Sequence, residues 1–315
     1  MISRRNIRVK VMQTLYTLST QTQDENPTPA ATKAADPQKI LQAHFEETRS
    51  LLVYLTWSLT AVARYAETDA HQKASKHLPT SGDLNINTKI AGNELLWKIL
   101  EDESLKAEFN RQKPEQAADT ELIRRLYQQL TETPEYKSYI AVPARDKAEE
   151  KKIILFILND LLLPNEAFIA HIEDNFSNWD DDGEMVVQLM ANYLQKPGSI
   201  PFNELMSADK AEFARSLLQT VIDKDKHLEG LIIPKLKNWD PERIALLDMI
   251  MMKMGVAEFL YFETIPPKVT INEYIDLAKE YSTQQSGQFV NGILDNIHKD
   301  LVQAGSMHKV DYRKS

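Results

Sequence analysis

The spacing of apolar residues is the feature that most restricts the fold of this chain. Apolar side chains recur at intervals of three and four residues along nearly its whole length, and long strand-like alternation is absent. The first predicted helix, Arg4–Ser19, carries such a stripe, formed by Ile7, Val11, Leu15 and Leu18. Asp36-Pro37 and Asp240-Pro241 each place an N-cap residue before a proline, as helices often begin. The pattern therefore predicts an all-α fold made of helical bundles.

Three further segments sharpen this prediction. The polar stretch Ser19–Asp36 is poor in large apolar groups and predicts a loop, after which a helix runs to about Ala66. The predicted helix Pro241–Phe262 is apolar almost all round, which is typical of a helix in the middle of a bundle. Thr270–Glu273 has the spacing of a capping box that opens the next helix.

The residue inventory predicts no catalytic centre. The chain of 315 residues has no cysteine and nine glycines, and neither glycine-rich phosphate-binding motif occurs. His44 and Glu47 have a spacing found in di-iron bundles, but those sites need several such pairs, so an exposed polar pair is expected. Asn178–Glu184 resembles half of a calcium loop, yet its twelfth position is Leu189 rather than glutamate. We expect no enzyme activity, no cofactor and no metal.

Charge is distributed unevenly along the chain. The net charge is −9, whereas residues 1–23 hold Arg4, Arg5, Arg8 and Lys10 with no acidic residue, so the remainder carries −13. Cations near a helix N-terminus oppose the helix dipole at a cost of roughly 0.3–1 kcal/mol each. Binding of an anion is one reason for such a placement. The alternative is a charged helix start that only keeps the chain in solution.

The chain shows no sign of a membrane segment. Its basic start lacks the apolar core of a signal peptide. The most apolar stretch, Ile244–Ala257, is too short for a membrane span and contains Asp248 and Lys253. We therefore expect a cytoplasmic protein without a membrane partner.

Motifs at both ends of the chain resemble one family. Arg4-Arg5-Asn-Ile-Arg8, followed by Met12-Gln13-Thr-Leu-Tyr16, is similar to the opening helix of the NusB family. Ile265–Glu273, Ala278-Lys279 and the block Phe289-Val-Asn-Gly-Ile-Leu-Asp295 resemble the family signature near its end. The resemblance covers about residues 1–20 and 205–303, and family members are normally about half as long. It predicts a first helix at 1–20, inserted helices at 21–204, a carboxy-terminal NusB-like bundle at 205–305 and a tail at 306–315.

The resemblance implies a function in transcription. Family members are non-enzymatic and bind boxA RNA together with NusE, a small-subunit ribosomal protein, in the antitermination complex on RNA polymerase. It places RNA contacts at Arg4, Arg5, Arg8 and Tyr16 in the first helix and at Gln285, Gln288, Phe289 and Asn291 near the end. Gln288 stands where the family often has a basic residue. The contact with NusE is expected at Glu258 and at the turn that contains Tyr261 and Phe262.

Elementary chemistry is consistent with this assignment. Single-stranded RNA is held by cations on its phosphates and by aromatic faces under its bases. Lys10 adds a fourth cation, and Gln13 lies on the same arc of the first helix as Tyr16. Four phosphate contacts predict a salt slope of about −3, from about −0.7 per contact. For Phe289 core packing is an equal alternative.

Two other functions remain open at this point. One is an all-helical interaction scaffold that has lost RNA binding and whose insertion binds another protein. The other is an RNA-binding part of a ribosomal-RNA methyltransferase, because NusB-like domains also precede such enzymes. The absence of a cysteine nucleophile and of a glycine-rich cofactor loop argues against the second.

Overall fold

A computed structural model describes residues 1–22, 36–78, 80–84, 86–236 and 244–310. Within these ranges the regular structure is entirely helical, and no strand occurs among them. This confirms the all-α prediction. The first ten helices are α1 Arg4–Thr22, α2 Pro37–Ala74, α3 Ser81–Leu84, α4 Glu94–Glu101, α5 Glu103–Gln112, α6 Thr120–Glu132, α7 Pro134–Ala141, α8 Lys147–Phe156, α9 Glu166–Asn175 and α10 Trp179–Gln195. The last five are α11 Ala208–Asp223, α12 Asp225–Ile232, α13 Leu246–Tyr261, α14 Pro267–Tyr281 and α15 Gln284–Gln303.

The chain divides into two compact units. The terminal unit contains Ile2–Phe45 and Met206–Ser315, and the insertion unit contains Met1 and Glu46–Leu205. Helix α2 contributes its first residues to the terminal unit and the rest to the insertion unit. The predicted boundaries at residues 20, 204 and 305 stay predictions.

Helix α13 is the centre of the terminal unit. It packs against α1, α11, α12, α14 and α15, and every residue from Ile250 to Phe259 is buried except Lys253, which is half-buried. Its all-round apolar sequence predicts this position. At Gly255 an added Cβ would lie 3.0 Å from the side chain of Leu294 and 3.3 Å from that of Tyr274. The glycine therefore permits the close approach of α14 and α15.

Helix α1 differs from the one-sided helix that its stripe suggests. All six residues from Ile7 to Met12 are buried, including Arg8 and Lys10. Solvent reaches the helix on either side of this stretch, with Arg4 exposed before it and Tyr16 and Gln21 exposed after it. A helix enclosed in this way belongs to the interior of its unit rather than to its rim.

The insertion unit is held together by capped helices and buried carboxylates. Side chains accept hydrogen bonds from the first backbone amides of six of its helices, at Asn93, Asp102, Asp119, Thr133, Asp146 and Asn165. Glu150 of α8, only 1% exposed, accepts hydrogen bonds from the Tyr139 hydroxyl at 2.7 Å and the Glu94 backbone amide at 2.6 Å. Arg145 completes this cluster with an ion pair to Glu150 at 3.1 Å.

Several helix boundaries differ from the predicted ones. Helix α1 continues to Thr22, and α2 reaches Ala74 rather than Ala66. Helix α14 begins at Pro267, so the Thr270–Glu273 pattern lies inside it and is not a cap. A capping box is found instead at Thr283 and Ser286, where α15 begins. The Asp240-Pro241 prediction and most of the predicted loop lie outside the described residues.

None of the described helices alone is long and apolar enough to cross a membrane. One consecutive pair, Lys147–Leu162 with Glu166–Asn175, together has the length and composition of a membrane span, but its two parts are bent by 79° relative to each other.

Candidate nucleic-acid interface

A buried ion pair fixes the first helix in the terminal unit. Arg8 of α1 donates from Nε to Glu258 Oε1 at 2.7 Å and from Nη2 to Glu258 Oε2 at 3.1 Å. The hydroxyls of Thr270 and Tyr274 on α14 donate to the same carboxylate, each at 2.9 Å. Arg8 Nη1 also donates to Glu273 at 3.2 Å. We call these five residues the Arg8 cluster.

Arg8 and Glu258 are the deeply buried centre of the Arg8 cluster, and Arg8 stays charged. Arg8 is 2% exposed and Glu258 is fully buried. Burial alone would lower the pKa of Arg8, but the hydrogen bond and charge of Glu258 raise it above its usual value. Burial raises the pKa of Tyr274 well above its usual value, so its hydroxyl remains a donor. The cluster joins α1, α13 and α14. It thereby fixes where the two ends of α1 reach the surface of the terminal unit.

This burial is unfavourable to three predicted contacts. Arg8 and Lys10 were expected to bind RNA phosphates, and Glu258 was expected to touch a protein partner. Arg8 is occupied by Glu258, Lys10 is 1% exposed, and the Glu258 carboxylate lies inside the unit. The sequence does not reveal this burial, because a buried charge on a helix is indistinguishable by sequence from an exposed one until its partner, 250 residues away, is known.

Two arginines remain at the surface at the start of α1. Arg5 donates to Glu280 at 2.6 Å, with both side chains partly exposed. Arg4 is exposed, and its guanidinium lies 5.4 Å from the centre of the Phe213 ring. The Arg5–Glu280 pair brings the start of α1 to the end of α14, four residues before α15 begins.

The predicted residues of α15 divide between surface and interior. Gln285, Gln288 and Asn291 are exposed, whereas Phe289 is half-buried. Ser286 of the capping box is buried and donates from its hydroxyl to Asp248 at 2.9 Å, which ties this end of α15 to α13. We define the amino-terminal patch as the surface residues Arg4, Arg5, Gln285, Gln288 and Asn291.

Gln13 and Tyr16 lie farther along α1. Tyr16 is 42% exposed and Gln13 is half-buried. Tyr16 follows Arg5 at a distance of eleven positions in the helix, which corresponds to about 16 Å along the axis. Val9 and Met12 on the same side of the helix are buried. Arg5 and Tyr16 are therefore two separate points of access to α1.

An acidic, aromatic pocket lies beside Arg4. It has a volume of about 460 Å³ and is lined by the predicted partner residues Tyr261 and Phe262, by Phe213, and by three acidic residues, Asp209, Glu212 and Glu263. Tyr261 is 41% exposed. Lys309 closes the end of α13 below this turn by donating to the backbone carbonyls of Glu258 and Phe262, each at 2.7 Å. We call this site the partner pocket.

Some residues of the interface have no signal in the sequence. Glu280 and Phe213 contact the surface arginines, and Glu273 contacts Arg8, yet each is an ordinary residue of an amphipathic helix. Only the spatial neighbourhood of the first helix reveals them.

Comparison with known proteins bears on the same region. The family model described as NusB family matches residues 173–299, which begin within α9. A transcription antitermination protein NusB from Chloroherpeton thalassium is 37% identical over 112 residues, which is 36% of this chain and 53% of that protein. The chain therefore spans about half the length of this relative.

Two further relatives carry the same name. The NusB protein of Methylacidiphilum infernorum is 41% identical over 99 residues, 31% of this chain and 68% of the relative. That of Salinibacter ruber is 39% identical over 98 residues, 31% of this chain and 61% of the relative. The buried helix α13, the proline turn and the Phe289–Asp295 block all fall within the matched family range. On these grounds the chain belongs to the NusB family.

Proposed function

We propose that this protein is a non-enzymatic, cytoplasmic antitermination factor that binds boxA-like RNA together with NusE, as part of the antitermination complex on RNA polymerase. The family membership supports the transcriptional role. The observation that carries the RNA contact is the Arg5–Glu280 pair, which brings the exposed arginines of α1 to the junction of α14 and α15. We further propose that the terminal unit is the NusB-like part and that the helices between its two segments are an insertion.

The amino-terminal patch has the chemistry for a weak contact with single-stranded RNA. Arg4 and Arg5 supply cations for phosphates, and the side-chain amides of Gln285, Gln288 and Asn291 supply donors and acceptors for base edges. With Arg8 and Lys10 buried, two phosphate contacts remain. The slope of log affinity against log salt then becomes shallower, at about −1.4. With this slope, binding weakens about sevenfold between about 50 and 200 mM salt.

Such a weak contact favours a second protein on the same RNA. Two proteins that bind each other and one strand gain affinity from effective concentration without new RNA contacts. The partner pocket has three carboxylates around aromatic rings, and this composition is complementary to a basic side chain. We therefore propose Tyr261 and Phe262 as contacts with NusE.

Fluorescence anisotropy with a labelled boxA-like RNA, with and without NusE, tests the proposal. Arg4→Ala/Arg5→Ala should weaken binding by roughly tenfold at low salt, because each of the two lost surface contacts with a phosphate is worth about 0.7 kcal/mol. Arg124→Ala/Arg125→Ala is the matched control, since it removes a second adjacent pair of exposed arginines, from α6. Equal affinities of the two double variants would contradict the proposed RNA contact.

A further inference from the structure

A pocket in the insertion unit has no role in the proposed function. Its volume is about 550 Å³, within the range of about 300–1,000 Å³ that is usual for small-molecule sites. Three helices and the turn after α5 form its wall. The residues that carry its chemistry are Tyr54, Arg111, Lys113, Gln116, Asn175 and Phe176. We call it the Lys113 pocket.

The side chains that line the Lys113 pocket are basic or neutral, whereas the insertion unit around it is acidic. Residues 46–205 contain 27 acidic and 17 basic residues, a net charge of −10. None of the residues that line the pocket, all of them described, is acidic. Arg111 is held by Glu108 at 2.6 Å and Glu46 at 3.1 Å. Lys113 is exposed and forms no ion pair with another described residue. Glu46 and Glu108 offset the charge of Arg111, so Lys113 supplies the positive charge for an anion, and the guanidinium, which has five N–H donors, adds hydrogen bonds.

The backbone of Lys113 is strained. It follows α5 with φ 50° and ψ 58°, in the left-handed region, and it is the one described residue other than glycine with a positive φ. Glycine or asparagine usually occupies such a position after a helix, because other side chains are strained there. A lysine at this point is costly to the fold, and a bound ligand would be a reason to keep its ammonium group there.

The opposite wall is aromatic and polar. The rings of Tyr54 and Phe176 lie 5.0 Å apart at 44°, and the Tyr54 hydroxyl forms a 2.6 Å hydrogen bond with His171 Nε2. Burial raises the pKa of Tyr54 to about 12, so its hydroxyl stays neutral. Phe176 is only half-buried. Gln116 and Asn175 add side-chain amides at the rim. A planar ring with polar edges fits this wall better than an aliphatic ligand does.

We propose that the Lys113 pocket binds a nucleoside phosphate, with the base against Phe176 and the phosphate at Lys113 and Arg111. The nucleotide is either free or part of an RNA strand, since both present the same chemistry. This inference does not depend on the RNA contact of the terminal unit. Loss of the amino-terminal patch would leave it unchanged.

Isothermal titration calorimetry of the full chain with AMP, GMP, CMP and UMP tests the pocket. We expect saturable binding of at least one of them, with a Kd of about 0.1–1 mM. Lys113→Gly removes the cation and relieves the strained backbone, so it should weaken binding about tenfold or more while the Tm stays equal or rises. The matched control is Lys147→Ala, which removes another exposed lysine of the same unit and should bind like the parent.

A second pair of variants tests the aromatic wall. Phe176→Leu should weaken binding, whereas Phe176→Tyr should preserve it, because only the latter keeps a ring for the base. A uridylate decamer distinguishes the two sources of the nucleotide. Much tighter, Lys113-dependent binding of the decamer identifies an RNA strand, and equal affinity identifies a free nucleotide.

Three results would overturn the proposal. They are no saturable binding of any monophosphate up to about 10 mM, unchanged affinity in Lys113→Gly, and equal binding of inorganic phosphate alone. The last would show that the base makes no contribution.

Discussion

The terminal and insertion units use the same internal device but present different surfaces. Each has a buried glutamate that accepts hydrogen bonds from several helices, Glu258 in the terminal unit and Glu150 in the insertion unit. Their arginine partners differ, because Arg8 is 2% exposed whereas the side chain of Arg145 is 39% exposed. Similar packing therefore does not imply similar dependence on the ion pair.

The two units differ more strongly in charge. Residues 46–205 carry a net charge of −10, so the rest of the chain carries +1, although the whole chain has −9. A polyanion such as RNA is repelled by a strongly acidic surface. The net charge of the whole chain therefore reflects the insertion unit and hides a nearly neutral unit that can approach RNA. Composition becomes informative here only when it is taken unit by unit.

The largest effect is expected from removing the charge of Glu258. Glu258→Gln leaves Arg8 buried and only weakly compensated by Glu273, so it should lower the free energy of unfolding by about 3–5 kcal/mol. Urea unfolding measures the loss. Hydrogen exchange locates it, with faster exchange expected in α13 and α14 of the terminal unit.

Glu150→Gln is the matched variant in the insertion unit. Arg145 can regain water when its partner loses charge, so the cost should be only about 1–2 kcal/mol. Equal costs for the two variants would show that the exposure of the arginine does not decide the strength of these clusters.

The sequence predicts the helices well because helix formation is local. The N-cap at Asp36 and the central position of α13 both follow from neighbouring residues. The Arg8–Glu258 pair does not, because it joins residues 250 apart. The strained backbone of Lys113 could not be predicted from the sequence either, because no neighbouring residue indicates that this lysine adopts the left-handed conformation. The motif resemblance identified both ends of the chain as NusB-like. Only their burial in the structure distinguished Arg8 and Lys10 from the surface arginines Arg4 and Arg5.

Tyr16 tests whether the RNA path extends beyond the amino-terminal patch. If a base stacks on its exposed ring, Tyr16→Ala should weaken RNA binding by about 1–3 kcal/mol, or about fivefold or more. Tyr16→Phe keeps the ring and should bind like the parent. Anisotropy measurements that show no loss for Tyr16→Ala would confine the path to the start of α1.

A smaller gain in affinity is expected from Glu280→Gln. The change frees Arg5 from its surface ion pair and removes a carboxylate next to the proposed phosphate path. RNA binding should strengthen about threefold, because Arg5 no longer has to leave a carboxylate in order to contact a phosphate. Asp276→Asn removes another exposed carboxylate of α14 and should have less effect. If both variants gain equally, the effect is one of overall charge and not of Arg5.

The last prediction concerns the pH dependence of stability at Lys309, which donates to the backbone carbonyl of Phe262 in the partner pocket. Burial lowers the pKa of Lys309 from 10.5 to about 8, against the opposing charges of Glu258 and Glu263. Between about pH 8 and 10.5 the unfolded chain therefore binds a proton that the folded protein has released, and Lys309 makes stability rise with pH in this window. Lys309→Met removes this contribution, so the parent should gain stability relative to the variant from about pH 7 to about pH 10. Urea unfolding at both pH values measures the change. Lys299→Met, at an exposed lysine of α15, should show no such trend, and a flat difference for Lys309→Met would mean that its ammonium group is not desolvated at the end of α13.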